Sequence, residues 1–231
     1  LFLAARNPRV VRWKDAFLIA ETAGVNAFPI VALISFLIGL IMAFQAAIPM
    51  SQLGAEIFVA DLIALSTLRE LGPLMTAIVM AGRTSSAFAA ELGTMKVNEE
   101  MDALTTMGLD PVRFLVVTRV IATLFMMPLL TIFSNLLGIM GGSVVLLSMG
   151  YPLSAYVDRI ILSADYVDLL GGLLKSLAFG LIVAGIGCSH GLRTRTGASA
   201  VGDSTTKAVV SGIIMIIVTD GIFSVIYFYL G

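Results

Sequence analysis

The stretch STLRELGPLMTAIVMAGRTSSAFAAELG, at residues 66–93, places two charged residues side by side in a run that is otherwise mostly apolar. A transmembrane helix needs about 20 mostly apolar residues to cross roughly 30 Å of hydrocarbon. A charge near its centre costs about 2.5–3.5 kcal/mol, so Arg69 and Glu70 require partners or a polar surrounding. Because Gly72 and Pro73 follow directly, we expect the helix to loosen here and to free backbone carbonyls.

The composition of the chain is that of an integral membrane protein. Of its 231 residues, 58% are hydrophobic and only 13% are charged, which is outside the range of ordinary soluble domains. The net charge of −1 indicates no basic surface for nucleic acid, and the single cysteine cannot form an internal disulfide. We therefore predict an all-α protein that forms one membrane domain over residues 1–231.

Hydropathy predicts five transmembrane helices. The third is long for one straight crossing, so we expect a kink at Pro128, and a division into two spans is the alternative. The predicted spans cover residues 28–50, 58–82, 118–148, 169–189 and 208–230.

The basic residues decide between five spans and six. The N-terminal segment and the connections 83–119 and 190–207 together hold eleven Lys and Arg, whereas the connections 51–60 and 149–168 hold only Arg159. Basic residues favour the cytoplasmic side, so five spans fit, with the N-terminus cytoplasmic and the C-terminus periplasmic. A sixth span would place 149–168 in the cytoplasm and spoil this pattern.

Residues 9–27 are predicted to form an interfacial helix ahead of the first span. Val10, Trp13, Phe17 and Ala20 recur at helical spacing, and charged residues, two basic and two acidic, lie on the other faces. Tryptophan and basic residues suit the headgroup layer. A solvated tail is the alternative interpretation of the same pattern.

Four ionisable residues stand out within the predicted spans, on three different helices. Asp61, Asp168 and Gly231 mark the outer ends of these three helices. Counted from them, all four lie roughly 10–16 Å deep at 1.5 Å per residue. The four are Arg69, Glu70, Lys175 and Asp220. They are either a static cluster that fixes helix packing or a polar site in a cavity for a ligand with a polar head.

The connection between the second and third spans contains a predicted amphipathic helix at 94–107. We expect Thr94 to cap it and Gly108 to end it. It either lies on the membrane or docks to a partner. The residues that would make the contact are Lys96, Val97, Glu99, Glu100, Met101, Asp102 and Leu104.

The sequence gives little support for catalysis. GASAVGDS at 197–204 nearly matches a phosphate-binding loop, but Asp203 replaces the lysine and would repel phosphate. An intramembrane hydrolase could use only Ser189 and His190, with no evident orienting acid. No pattern of metal ligands is present. We predict no enzyme, metal or cofactor in this chain.

The residues LRELGPLMTAIVMAGRTSSAFAAELGTMKVNEEMDALTTMGLDP (68–111) and VGDSTTKAVV (201–210) resemble the permease family of MlaE-type ABC transporters. The second motif is similar to the cyanobacterial and plastid-like branch. Members move phospholipids between membranes in bacteria and plastids. The likeness extends over nearly the whole chain from about residue 20.

This resemblance implies a set of partners and roles. Two permease copies form the transmembrane core, with lipid in a pocket between them. A cytoplasmic ATPase, which holds ATP and magnesium, binds a coupling helix that matches 94–107 here. An MCE-domain protein lies on the outer side, and in some systems a small STAS-domain protein binds the ATPase. By position, Arg69, Glu70, Lys175 and Asp220 correspond to charged residues of the family.

The leading hypothesis is therefore a lipid-transporting permease subunit in a bacterial inner membrane, rather than a plastid envelope. The alternative is a membrane scaffold that anchors an MCE-domain protein without transport. In the leading hypothesis the charges either steer the lipid head or respond to cavity closure, or they hold the dimer in shape without touching lipid.

Overall fold

The computed structural model describes residues 12–195 and 197–230, with the backbone alone at 198 and 230. These residues form helices and short connections, with no strand among them. Of the helices below, α1, α2, α4, α6 and α7 are long and apolar enough to cross a membrane, which confirms the predicted all-α fold with five spans. The helices are α1 (Trp13–Gln52), α2 (Glu56–Val97), α3 (Glu100–Thr106), α4 (Val112–Ser148), α5 (Leu153–Ser163), α6 (Tyr166–Leu192) and α7 (Ala198–Leu230).

Helix α2 is interrupted by two π-helical turns, Thr67–Leu71 and Ala81–Ser85. Pro73 explains the first turn, because proline has no backbone N–H and its ring clashes with the carbonyl four residues earlier, at Arg69. Such turns are rare and often occur at functional sites. The predicted loosening of the helix beside Arg69 and Glu70 is thus present in the structure.

Several helices are longer than the apolar runs that predicted them. Helix α2 continues to Val97 instead of ending at residue 82, and α4 passes through Pro128 as a single helix. No break separates the predicted interfacial segment from the first span, since α1 runs from Trp13 through Pro29 to Gln52. Residues 9–11 of that segment lie outside the described residues. Hydropathy detects only the residues that cross the hydrocarbon, whereas backbone hydrogen bonds can extend a helix beyond those residues.

The predicted start of the 94–107 helix is wrong. Thr94 lies inside α2, and α3 begins only at Glu100. Between them Glu99 has a φ of 60°, a left-handed conformation that ends one helix and reorients the next. The predicted stop is correct, because Gly108 has a φ of 76° and donates its N–H to the carbonyl of Thr105.

The chain divides into two compact units. The first unit comprises the described residues up to 27, together with 77–127 and those from 177 onward; the second comprises 28–76 and 128–176. In the first unit, Met101 of α3 is buried among Phe88 and Leu92 of α2, Val120 of α4 and Cys188 of α6. The short helix α3 is therefore anchored to the ends of three long helices.

The second unit packs helices closely enough for backbones to touch. A Cβ at Gly39 of α1 would overlap the carbonyl of Gly138 of α4. Small residues of this kind allow the backbone contacts by which helices associate in membranes. Ala43, Ala60 and Leu146 continue this buried contact.

Helix α5, which the sequence analysis did not predict, belongs to the second unit. It is too short to span a membrane and carries Asp158 and Arg159 among its apolar residues. Arg159 donates from Nε and Nη2 to the carboxylate of Asp61, at 2.7–3.0 Å. Its guanidinium also lies 4.3 Å from the ring centre of Phe58. Two-point binding of this kind gives both strength and direction.

Replacing Tyr156 with phenylalanine tests the attachment of α5. The Tyr156 side chain is buried, and its hydroxyl donates to the carbonyl of Ile139 at 2.8 Å. We expect Tyr156→Phe to lower the free energy of unfolding by about 1 kcal/mol, measured by thermal unfolding in detergent. Tyr166→Phe, at an exposed tyrosine, is the matched control and should have no effect. Equal effects of the two substitutions would contradict this assignment.

Candidate functional site

One face of α6 meets the first π turn of α2 within the second unit. Asp168, Gly172 and Lys175 occupy positions i, i+4 and i+7 and so share a face of the helix. Gly172 lies against the carbonyl oxygen of Leu68, where a Cβ would overlap it. This close approach brings the charged residues on either side of Gly172 to the π turn.

Lys175 is fully buried and forms an ion pair with Glu70. Its Nζ also donates to the carbonyl oxygen of Arg69 at 3.4 Å. This is the carbonyl that Pro73, four residues later, prevents from accepting the usual helical bond. The lysine thus satisfies both the carboxylate and the backbone group that the interrupted helix exposes.

Arg69, the neighbour of Glu70, pairs with Asp168. The Asp168 side chain is 5% exposed and also accepts a hydrogen bond from the backbone N–H of Asp165 at 3.1 Å. Asp168 lies in the first turn of α6, where the helix dipole favours a negative charge. Two adjacent residues of α2 are therefore held by two residues of α6 that lie two turns apart.

The two pairs are covered on the α6 side but not on the other. The side chain of Arg69 is 55% exposed and that of Glu70 is 35% exposed, whereas Lys175 has no exposure. A cavity adjoining the π turn, lined in part by Ser35, Thr67 and Ser134, measures only about 10 Å³. That is room for roughly one water molecule. The exposed sides of Arg69 and Glu70 therefore face away from the packed interior of the unit.

Within the second unit, the structure brings together the predicted charges Arg69, Glu70 and Lys175 and adds Asp168 to them. Asp220 lies half-buried on α7 and belongs to the first unit. The sequence analysis used Asp168 only to mark the end of a span. Its spacing of seven from Lys175, which places both on one helical face, is the signal that could have identified it.

The predicted coupling residues lie at and around α3, in the first unit. Met101 is buried in the core, and Val97 and Leu104 are half-buried. Lys96, Glu99, Glu100 and Asp102 are exposed. Met107, just beyond the helix, is 73% exposed. The anchored helix and the turn after it thus present charged side chains and the apolar Met107 to their surroundings.

Two other predicted possibilities can be placed in the structure. Ser189 and His190 are half-buried at the end of α6, and neither side chain forms a hydrogen bond within the described part of the chain. Across the same residues, no group of His, Cys, Asp and Glu has the arrangement of a metal site.

Five apolar helices and ion pairs set inside them define a multi-pass membrane protein with a polar site within its spans, an arrangement suited to transport. Residues 18–226 match the Permease MlaE family. The chain belongs to this family and is a permease subunit of the ABC transporter type, as its sequence resemblance predicted.

The similar proteins include some from bacteria and one from a plant. A probable ABC transporter permease protein of Synechocystis sp. is 40% identical over 85% of this chain and 75% of its own length. The chloroplastic protein TRIGALACTOSYLDIACYLGLYCEROL 1 of Arabidopsis thaliana is 36% identical over 94% of this chain and 63% of its own. The intermembrane phospholipid transport system permease protein MlaE of Haemophilus influenzae is 32% identical over 90% and 80%.

Proposed function

We propose that this chain is the transmembrane subunit of an ATP-driven transporter that moves phospholipids between membranes, with lipid held between two copies of the chain. Support comes from the family and from a relative named as a phospholipid transport permease. The observation that carries the proposal is the partial exposure of two adjacent charged residues, Arg69 and Glu70. A charge facing lipid within a membrane is expensive, so these groups require a polar cover.

A second copy of the chain can supply that cover. The small cavity beside the π turn cannot hold a lipid. A lipid pocket at this level therefore has to lie on the exposed side of Arg69 and Glu70. Such a pocket would have charged groups at one wall and the exposed apolar side chains of the spans at the others. Those two surfaces match the head and the tails of a phospholipid.

In this proposal a partner protein supplies the energy for transport. A cytoplasmic ABC ATPase binds ATP and magnesium and docks on α3 and the residues beside it. An MCE-domain protein receives or delivers lipid on the periplasmic side, and a STAS-domain protein associates with the ATPase. The subunit lies in a bacterial inner membrane with its N-terminus in the cytoplasm, as the distribution of Lys and Arg favours.

Reversing the charges of α3 tests the docking of the ATPase. Glu100 and Asp102 are exposed, whereas the helix itself is anchored by the buried Met101. Glu100→Lys with Asp102→Lys should leave the fold intact and weaken ATPase association by about tenfold. An ATPase surface that complements the two acidic side chains would then face lysines of its own charge. Quantitative co-purification measures this, and ATP-dependent lipid transfer should fall in parallel.

The matched control is Glu21→Lys, at an exposed residue of α1 in the same unit. It should leave both ATPase association and transfer unchanged. Wild-type association of the α3 double variant would refute the docking site. Lipid transfer that needs no ATPase in the wild-type complex would refute the ATP-driven function, and an MCE-domain partner retained without any transfer would favour the scaffold hypothesis.

A further inference from the structure

We propose that the groove between α1 and the last third of α2 binds a phospholipid with an anionic headgroup, with its phosphate at Arg83. The groove has a volume of about 500 Å³ and lies wholly within the first unit. That volume is in the range of small-molecule sites. The site is separate from the Arg69–Glu70 pair and concerns binding alone, so it does not depend on the transport proposed above.

The walls of this groove are suited to an acyl chain. Leu18 and Ile19 of α1 face Ala87 and Phe88 of α2 across it. Leu18 is 63% exposed, which leaves a large apolar side chain on the open side of the groove. The hydroxyl of Thr22 is satisfied by the carbonyl of Leu18 in its own helix, at 2.9 Å, so it does not require a ligand.

The charges of the groove leave one cation available. Glu91, at one end, forms an ion pair with Arg119 at 2.7 Å. Arg119 is nearly buried and also donates to the carbonyl of Leu115, so it serves to hold Glu91. Arg83 is exposed, and its guanidinium has no ion pair or hydrogen bond with any residue that the structure describes. A guanidinium binds phosphate well because its donors match two oxygens at once.

The position of Arg83 favours a lipid over a soluble anion. It follows directly after residues 58–82, an apolar run that is long enough on its own to cross the hydrocarbon. It also stands on the second π turn of α2, Ala81–Ser85. The predicted span thus puts Arg83 at the expected level of the headgroups, and Leu18 and Phe88 line the same groove. Free phosphate would make no use of those walls.

Photo-crosslinking tests the site on the intact protein in nanodiscs. A photoreactive phenylalanine derivative replaces Leu18, and intact mass measures lipid capture from equal parts of phosphatidylglycerol and phosphatidylcholine. We expect a preference for phosphatidylglycerol that Arg83→Gln lowers by about fivefold. Arg83→Lys should keep much of the preference. Lys207→Gln, which removes an exposed cation elsewhere in the same unit, should keep all of it.

Three results would overturn the proposal. These are equal capture of the two lipids by the wild-type protein, an unchanged preference in Arg83→Gln, and a crosslink from position 18 to a second copy of the chain in place of lipid. The last result would assign the groove to a protein interface. None of them bears on ATP-dependent transfer, so the two proposals can fail separately.

Discussion

Gly172→Ala should displace α6 from the interrupted part of α2 and disable the polar site. The added methyl group would overlap the carbonyl oxygen of Leu68, a backbone atom that cannot move away as a flexible side chain could. Overpacking of this kind costs about 1–3 kcal/mol. Because Asp168 and Lys175 flank Gly172 on one face, the shift also separates both ion pairs. We therefore expect a large loss of thermal stability in detergent and of lipid transfer.

Gly185→Ala is the matched control for this substitution. Gly185 lies in the same helix, and a Cβ there would meet no described neighbour. It should leave stability unchanged or raise it slightly, since alanine favours a helix over glycine. If Gly172→Ala and Gly185→Ala behave alike, the close approach of α6 to Leu68 does not position the charges.

Glu70→Gln should destabilise the protein by removing the carboxylate that pairs with Lys175. Lys175 is fully buried, and its Nζ also donates to the carbonyl of Arg69, at 3.4 Å. Removing one partner of a buried ion pair costs about 3–5 kcal/mol. We expect about 2–3 kcal/mol here, because Glu70 is partly exposed and the glutamine oxygen still accepts a hydrogen bond. Thermal unfolding of the detergent-solubilised protein measures the loss.

Combining Glu70→Gln with Lys175→Met should recover most of that stability. Replacing both members of a buried pair by uncharged groups is often neutral, because neither charge then needs desolvation. Glu21→Gln, at an exposed carboxylate of α1, should have no effect and controls for the loss of charge. A single Glu70→Gln variant as stable as wild type would contradict the pairing.

The sequence predicted those features that depend on local chemistry. Apolar length predicted the five spans, and Pro73 predicted the interruption that appears as the turn Thr67–Leu71. Gly108 predicted a helix end because its left-handed backbone suits glycine. Helix ends set by backbone hydrogen bonds beyond the apolar run, such as Val97, left no hydropathy signal.

The sequence predicted three residues of the ion-pair site and missed the fourth. Arg69, Glu70 and Lys175 stood out because charges are rare inside spans. Asp168 did not, because it lies where a span was expected to begin and a charge there needs no explanation. The start of α3 was missed because Glu99 adopts a left-handed backbone that favours glycine or asparagine, so its residue type gives no warning.

The most direct test of the account is ATP-dependent transfer of a fluorescent phospholipid by the complex in proteoliposomes, compared between wild type and the Glu70→Gln, Lys175→Met double variant. We predict that the double variant keeps near-wild-type stability and ATPase association but loses most of its transfer, because the charges serve the lipid and not only the packing. Transfer at the wild-type rate would contradict this and would leave the ion pair a purely structural feature.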